Sequence, residues 1–594
     1  MGYLNSSIHK LKKLNVEYMG KWLIYGALIG IATGLGSAIF YFGLNYCSFF
    51  LLGDIAGFHP PLPGGESSGH EFSMNGSMNY LLLIIPTIGG LISGIIVYSL
   101  APEAEGHGTD AVIKAFHRLK GRIRKRVPLV KTIASIITIG SGGSAGREGP
   151  IAQIGAGFSS FLADILKAGE RDRRIMLICG VAAGVGSIFK APLGGALFAM
   201  AVLYKRDYEV EGIIPAVISS IVAYSIFCSI VGWAPIFTTP EYNFTHPVEL
   251  VCYALIGIVC GLIGMIYVKT FYGLRNKFFR KIGIPRHFIP AIGGFMIGLL
   301  ALFYPQVLGM GYGWIQEAIN GKLVLSLMII LIFAKILATS FTISSGGSGG
   351  VFAPSLFIGA MIGGSIGNIS YSLFPESITQ PSACILVGMA GFFAGVANVP
   401  IVTLIMVCEM TNSYSLLVPL MLAEAISYVI ATRWTIYENQ APTRADSPAH
   451  RHELSIDILE NLYVKDAMTQ AVMTVSPKDK VCHVLSLIDK YKHLGYPVVS
   501  KGDIVGIITA SDVTSVPVGE RDTKEIKDIL SGKLIVTYGN ETLYNALHKM
   551  VERDIGRLPV VDKEKPKKMV GILTKSDIIV AYVKEEEKIK CARG

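Results

Sequence analysis

Long apolar stretches, separated by short polar segments, occupy most of the first 440 residues of the chain. Six of them reach the roughly 20 residues that a helix needs to cross a bilayer. They cover residues 22–52, 79–100, 212–237, 248–273, 286–304 and 323–345. Other apolar stretches are shorter or are interrupted by Gly and Pro. The pattern predicts an all-α, polytopic membrane region.

A change of pattern marks the end of this region, where a polar segment with two prolines is followed by apolar runs of strand length only. Two similar units follow, and each reads as strand, helix, strand, strand, helix. The sequence therefore predicts a membrane region at 1–440, a linker at 441–456, and soluble α/β units at 457–519 and 520–594.

Two pairs of segments repeat inside the membrane region. Residues 141–150 read SGGSAGREGP and residues 345–354 read SGGSGGVFAP, with six of ten positions identical. Residues 180–200 resemble 388–408, with Gly, Ala and Pro positions aligned at an offset of 208. Repeated halves with Gly/Pro-interrupted helices are typical of transporters, whose substrate site lies where the broken helices meet.

Each glycine-rich segment ends in a proline, Pro150 or Pro354. Proline is favoured at the first position of a helix, so a helix is predicted to begin near each one. Non-helical backbone at membrane depth is tolerated only where it lines a cavity or is buried in protein. Two helix N-termini that face one cavity predict an anion site, to which Ser144 and Ser348 would add hydroxyl donors. The alternative is that the glycines only allow close helix packing.

The two segments differ in charge, because the first carries Arg147 and Glu148 where the second has Val351 and Phe352. A carboxylate at a helix N-terminus is itself an anion. Glu148 is therefore predicted to occupy the position of a transported ion and to act as a gate that opens on protonation or displacement. The alternative is a plain N-terminal cap in water.

Composition and charge agree with a membrane location. Of 594 residues, 51% are hydrophobic and 16% are charged, and the net charge of +10 is concentrated in short basic segments. These segments are 9–15, 118–126, 171–174 and 275–281. Short basic loops stay in the cytoplasm, whereas 57–79 has no Lys or Arg and is predicted to lie outside. We expect a plasma (cell inner) membrane protein with a cytoplasmic N-terminus and C-terminal units, an uncleaved first span and no nucleic-acid partner.

These motifs resemble the CLC family of chloride channels and transporters over essentially the full length. GREGP (146–150) is similar to its gating-glutamate motif, GGVFAP (349–354) to its second anion-binding motif and APEAEGHGTDAV (101–112) to the motif that supplies a central serine. The resemblance implies inverted repeats with tilted and partial helices, chloride as the transported ion, and a homodimer with one pore in each subunit. It also implies an anion-binding and pore set, comprising His107, Gly146, Arg147, Gly149, Val351, Phe352, Ala353 and Tyr437.

One departure from the family pattern lies in the central motif. The family usually reads G-S-G-I-P where this chain has Gly106, His107, Gly108, Thr109 and Asp110. Substitution at this position is associated in the family with altered anion preference. The histidine either donates an N–H to the anion and titrates in the physiological range, or is turned away and satisfied by backbone.

A second departure concerns protons, because Ala201 and Val202 stand where family exchangers commonly have two glutamates. Valine cannot carry a proton, which favours a passive gated chloride channel; the alternative is a proton-coupled Cl⁻/H⁺ antiporter. In the coupled case Glu209, Glu211 or Glu409 would substitute. We expect the first two at a solvated helix end and Glu409 as a structural, hydrogen-bonded carboxylate.

The C-terminal units resemble a tandem pair of CBS domains, whose usual ligands are adenine nucleotides such as ATP, ADP or AMP. Thr509 and Asp512, like Thr574 and Asp577, lie three residues apart at a strand-to-helix turn. Such a turn suits the phosphate and ribose of a nucleotide. It is equally a capping box that stabilises the helix alone.

Other classes of function are less well supported by the sequence. No phosphate-binding loop of the G-x-x-x-x-G-K-[ST] type occurs, which disfavours an ATP-driven pump. An intramembrane hydrolase using Ser144 and His107 would not explain the repeated loop. A cation transporter would need more pore carboxylates than Glu148. The nine cysteines are scattered and indicate neither a metal site nor a disulfide framework, and no enzyme activity or required cofactor is expected.

Overall fold

The computed structural model describes residues 2–66, 73–74, 80–242, 244, 246–376, 380–450, 458–530 and 534–593, with side chains from residue 20 to residue 588 within those ranges. It divides into two compact units, Met1–Ala449 and His450–Gly594. The division falls inside the segment that the sequence predicts as a linker.

The first unit is built almost entirely from helices. In chain order, these are α1 Gly2–Ser48, α2 Leu81–Leu100, α3 Thr109–Arg118, α4 Val127–Gly140, α5 Glu148–Ile165, α6 Glu170–Ile188, α7 Pro192–Ala201, α8 Ile213–Val231, α9 Glu249–Gly273, α10 Ile289–Ala301, α11 Tyr312–Ile319, α12 Leu325–Ser344, α13 Phe352–Leu373, α14 Ala383–Ala397, α15 Pro400–Thr411 and α16 Leu417–Ala431. The short strands β1 Phe58–His59 and β2 Ser73–Met74 pair antiparallel in the segment predicted to lie outside.

Six helical segments in the described part of the chain are long and apolar enough to cross a membrane. They are Gly20–Ile55, Leu81–Leu100, Val210–Val231, Glu249–Lys281, Leu325–Ser344 and Phe352–Leu373. The predicted span at 286–304 is shorter in the structure, where α10 has 13 residues and is not among these six. Helix α13 takes its place among the six, although its glycine-rich sequence lowers its mean hydropathy to 1.4.

The sequence repeat is also a repeat of packing. Helix α5 packs on α6, and α13 packs on α14. A Cβ on Gly155 would lie 2.1 Å from the backbone oxygen of Gly180, and a Cβ on Gly359 would lie 2.2 Å from that of Gly388. These glycines therefore allow two helix pairs to meet backbone to backbone, which is the close packing that small residues permit in membranes.

The second unit contains two similar α/β modules. Helix α17 Val464–Ala467 comes first in the chain but packs in the core of the second module. The first module holds α18 Val481–Tyr491, β3 Gly495–Ser500, β4 Asp503–Thr509 and α19 Ala510–Thr514. The second holds β5 Thr537–Tyr538, α20 Leu543–Glu552, β6 Arg557–Val561, β7 Met569–Thr574 and α21 Lys575–Arg593. Strands β3 and β4 pair antiparallel, whereas β5 lies parallel to β6, which pairs antiparallel with β7. The predicted first strand of the first module is reduced to a single parallel bridge between Val475 and Val498.

Candidate functional site

Two glycine-rich loops, the first at 141–147 and the second at 345–351, meet in the interior of the first unit. The N–H of Gly146 donates to the oxygen of Gly350 at 2.7 Å, and the N–H of Gly350 donates back at 2.6 Å. This antiparallel bridge places the first residues of α5 and α13 side by side. Both helices begin two residues before the prolines that predicted them, so Pro150 and Pro354 are third residues and not first ones.

Glu148 lies where these two helix starts meet, and its residue is only 3% exposed. The hydroxyl of Tyr312 donates a hydrogen bond to Oε1. The carboxylate lies beside the backbone amides of Glu148 and Ala353, and its Oε2 has no hydrogen-bond partner within the described residues. A water-exposed N-cap, the alternative considered for this residue, is therefore excluded, because the carboxylate is buried where the two helices begin.

Arg147 is held by an ion pair with Glu66. Its Nη2 lies 2.7 Å from Oε1 of Glu66, and both side chains are buried. The rings of Tyr41 and Tyr312 flank the guanidinium, each with its centroid 5.4 Å from Cζ. Because a buried charge is tolerated only when it is paired, Glu66 neutralises the one cation that the first loop carries.

In the second loop the corresponding side chains are apolar and packed. The ring of Phe352 lies 4.2 Å from that of Phe393 and 4.5 Å from that of Phe189, measured between centroids. Val351 and Ala353 are buried beside it. The second loop thus offers backbone N–H groups, while its side chains are fixed by the aromatic cluster.

A third loop, residues 101–108, joins this centre and carries His107. The N–H of Gly349 donates to the oxygen of Gly106 at 3.2 Å. The ring of His107 lies 5.5 Å from that of Tyr437, whose hydroxyl is within hydrogen-bonding reach of Thr109. Nδ1 of His107 is buried and has no hydrogen-bond partner within the described residues, so this nitrogen is not satisfied by backbone.

Two buried lysines, which the sequence did not single out, hold loops near this centre. Lys131 Nζ donates to the oxygens of Ala104 at 3.0 Å and Gly106 at 2.7 Å. Lys335 donates in the same way to two carbonyls of the loop before α11, each at 2.9 Å. Neither ammonium is exposed. Each lysine therefore fixes the backbone of one loop through hydrogen bonds to two carbonyl oxygens.

The Ser144 and Ser348 hydroxyls, which are predicted to donate to an anion, are each paired with a protein hydroxyl in this conformation. The Ser144 hydroxyl pairs with that of Thr339 at 3.0 Å, and Ser348 pairs with Ser135 at 2.9 Å. Each loop is therefore tied to the helix that precedes the other loop. No hydrogen bond in the described part of the structure joins Ser144 to His107, so a nucleophile–base pair is not formed.

Comparison with known proteins decides the family. A sequence profile described as Voltage gated chloride channel matches residues 89–432, and the CBS domain profile matches 464–519 and 526–584. The chain belongs to the voltage-gated chloride channel family. The family is one of transport proteins and not of enzymes, and the chain is an integral, multi-pass membrane protein with anion transport as its family function.

Relatives in the family include both plant and bacterial proteins. The chain is 30% identical over 424 residues to "Chloride channel protein CLC-e" of Arabidopsis thaliana; the match covers 67% of this chain and 58% of that protein, less than two thirds of its length. It is 30% identical over 364 residues to "H(+)/Cl(-) exchange transporter ClcA" of Vibrio campbellii, covering 60% and 78%. With "Chloride channel protein CLC-f" of Arabidopsis thaliana, 26% identity extends over 98% of this chain and 84% of that protein.

Solved structures of the family share the fold. A slow cyanobacterial Cl⁻/H⁺ antiporter superposes with a TM-score of 0.61 at 23% identity, covering 69% of this chain and 94% of the antiporter. A eukaryotic CLC transporter gives 0.57 at 20% identity and covers 95% of this chain and 98% of its own. The predicted CLC-like fold with C-terminal CBS domains is confirmed.

Val202, which the resemblance matches to the family's proton-relay glutamate, is buried at the end of α7. Close to it in sequence, Glu209 is only 3% exposed and accepts a hydrogen bond of 2.6 Å from the hydroxyl of Tyr204. The prediction of a solvated helix end is therefore wrong for Glu209, because a backbone hydrogen bond to Met200 folds its segment back against α7. Glu211 remains partly exposed.

Glu409 has the structural role predicted for it. Its carboxylate accepts backbone hydrogen bonds from Leu193 at 3.2 Å and Gly194 at 2.7 Å, at the start of α7. A carboxylate at a helix N-terminus satisfies amides that the helix leaves unpaired.

In the CBS domains the two Thr/Asp turns form complete capping boxes. The hydroxyl of Thr509 donates to Asp512 at 2.6 Å, and that of Thr574 donates to Asp577 at 2.7 Å. In both turns the Asp backbone N–H donates to the Thr hydroxyl, and the Thr backbone N–H donates to the carboxylate. These four side chains satisfy one another in this conformation. Among the described residues of the whole chain, no group of three His, Cys, Asp or Glu is placed to hold a metal.

Proposed function

We propose that the protein moves chloride across the bilayer through a path between the first and second loops, with Glu148 as its gate. One observation carries the proposal: a buried carboxylate stands at the point where the starts of α5 and α13 meet. Backbone amides that face a carboxylate also suit a halide, since both are anions with strong acceptor character. Removal of the carboxylate would leave that position to chloride.

The energetic requirement explains why two loops converge. Burial of an unpaired ion costs tens of kcal/mol in the Born limit, whereas one helix terminus contributes about 2 kcal/mol at most. Several weak donors that share the ion stabilise it without holding it too tightly to leave. Val351, Ala353 and Gly149 lie at the starts of α13 and α5. The backbone oxygen of His107 lies close to Gly149, and the His107 ring lies 5.5 Å from that of Tyr437.

We favour passive, gated conduction because Val202 cannot accept a proton. Coupled Cl⁻/H⁺ exchange is the second candidate, and it is supported by the buried Glu209 with its Tyr204 donor. Relatives named as exchangers support it as well.

The decisive experiment is flux from purified protein in vesicles, followed with chloride and proton electrodes together. Passive conduction gives chloride efflux and a reversal potential that stays at the chloride equilibrium potential when a proton gradient is imposed. Coupled exchange shifts that potential. The proposal would be contradicted if the protein passed no chloride and instead passed a cation or cleaved a peptide.

We also propose a homodimer of the plasma membrane with one pore in each subunit, as the family resemblance implies. Cross-linking in the bilayer tests the dimer: a monomer in native membranes would contradict it.

Regulation by ATP, ADP or AMP at the CBS turns is proposed with its own test. Titration calorimetry of the full chain should show binding that Asp512→Asn and Asp577→Asn weaken. Asp528→Asn disrupts the comparable capping box formed by Glu525 and Asp528 and serves as control. Equal affinity in all variants would show that the turns are helix caps alone.

A further inference from the structure

A fourth loop, residues 302–311, repeats the third loop that carries His107. Residues 102–112 read PEAEGHGTDAV and residues 305–315 read PQVLGMGYGWI, so that a Pro and both members of a G-x-G pair recur at an offset of 203. In the structure Gly108 and Gly311 both take positive φ, at +70° and +89°. The residue after each is the first of a helix, α3 or α11. The repeat therefore extends from the anion loops to the loops beside them.

The buried lysines belong to the same repeat. Lys131 and Lys335 each precede a glycine-rich anion loop by ten residues, 204 positions apart. Lys131 binds carbonyls of the third loop, and Lys335 binds the oxygens of Val307 and Gly309 in the fourth. One buried lysine thus fixes the third loop, which is followed by Thr109, and the other fixes the fourth loop, which is followed by Tyr312.

Those two residues, Thr109 and Tyr312, have different partners. Thr109 contacts Tyr437 beside His107, whereas the Tyr312 hydroxyl donates to Glu148. Tyr312 is 2% exposed, and its ring stands perpendicular to that of Phe237 with centroids 5.7 Å apart. The hydroxyl is therefore held at a fixed position. Glu148 can leave its place only by breaking this hydrogen bond.

We infer that Tyr312 is the latch of the gate, with its hydroxyl holding the Glu148 carboxylate in the shut position and Lys335 positioning the loop that carries it. The inference rests on the proposed role of Glu148. Tyr312 also lines a cavity of about 320 Å³, together with Trp314, Phe58 and prolines 60, 61 and 63.

The first test is Tyr312→Phe in the full chain reconstituted in vesicles. The variant keeps the ring, its contact with Phe237 and its contact with Arg147, and it loses only the hydroxyl. A hydrogen bond to a charged group is lost from the shut state alone, so chloride efflux is expected to rise about tenfold. The control is Tyr253→Phe, which removes another buried Tyr–Glu hydrogen bond, 3.1 Å to Glu249, within α9. It should change efflux by less than about twofold.

The second test asks whether Tyr312 acts through Glu148. In a Glu148→Ala background, Tyr312→Phe should have no further effect, because two groups that act through one contact are not additive. Lys335→Gln should raise efflux in the parent and add little to Tyr312→Phe, while Lys335→Arg should restore a donor and part of the parent behaviour. A general loss of packing would act equally in both backgrounds.

The outcomes distinguish failure of the inferred role of Tyr312 from failure of the proposed function. If Tyr312→Phe matches the parent while Glu148→Ala raises efflux, the latch is wrong and the gate stands. If Tyr312→Phe raises efflux equally with and without Glu148, the tyrosine acts elsewhere and the latch is again wrong. If neither the parent nor Glu148→Ala passes chloride, the proposed function itself has failed.

Discussion

The first and second glycine-rich loops share one backbone arrangement, but the side chains that follow the glycines are charged in the first and apolar in the second. Both end in a helix whose third residue is proline, and they bridge each other through Gly146 and Gly350. The first loop leads into Glu148, which is held by polar contacts that can be exchanged for others. The second leads into Phe352, which is fixed by aromatic packing. Under the proposed function, one copy of the repeat carries the gating carboxylate, while the other supplies a helix N-terminus that aromatic packing holds in place.

Truncation of the aromatic residue should give the largest change in stability and no gain in transport. Phe352→Ala removes a fully packed ring, and we expect it to lower the free energy of unfolding by about 3 kcal/mol. Thermal unfolding in detergent measures this loss. Chloride efflux above the parent level in this variant would mean that both loops gate, and the contrast between them would be lost.

Truncation of the carboxylate should give the opposite result. Glu148→Ala removes the group that competes with the ion, and we expect chloride efflux to rise by about tenfold or more, since a charged hydrogen bond contributes roughly 1.5 to 3 kcal/mol. The rise should come with a loss of pH dependence, measured as efflux over a pH series. Glu148→Gln serves as the neutral, near-isosteric comparison. Efflux that stays as dependent on pH as in the parent would contradict the gate.

The shared backbone plan can be tested at Gly149. A Cβ there would lie 2.0 Å from the backbone oxygen of His107, so Gly149→Ala must displace the third loop. We expect a loss of about 1 to 2 kcal/mol in stability and reduced chloride flux. Gly391→Ala is the matched control, because the nearest atom to its new Cβ is 3.6 Å away. Equal behaviour of the two variants would show that the close approach is not needed.

The smallest expected effect concerns selectivity at the third loop. His107→Ser introduces the residue that is common in the family at this position. It removes a buried ring whose Nδ1 has no hydrogen-bond partner within the described residues. We expect the chloride-to-nitrate permeability ratio to change by less than about tenfold, or ~1.4 kcal/mol, without a change in gating. Bi-ionic potentials measure it, and an unchanged ratio would assign His107 a packing role only.

The repeat explains how much the sequence could predict. Glycines and prolines at matched positions are local signals, so the two loops, the helices after them and their meeting point could be predicted without a structure. The partners of the Ser144 and Ser348 hydroxyls could not be predicted, because each binds a helix of the opposite half. A local sequence pattern cannot predict a hydrogen-bond partner that lies about 200 residues away in the chain.

Two residues of the site carry no local signal of their role. Tyr312 contacts Glu148 across 164 residues, and Glu66 reaches Arg147 across 81. The repeat of the G-x-G pair marks the place of Tyr312, but Thr109 in the matching position has another partner. The burial of Glu209 was missed for a similar reason, since a charged segment after a helix is usually solvated and only the tertiary fold turns it inward.

The central claim is that two helix starts share one buried anion position, which Glu148 occupies in the absence of a halide. Crystals of Glu148→Ala grown in bromide, with anomalous diffraction recorded at the bromine edge, test it most directly. The account predicts an anomalous peak beside the amide nitrogen of Ala353, where the Glu148 carboxylate lies in the present structure. An empty position there, with bromide bound only elsewhere or not at all, would contradict it.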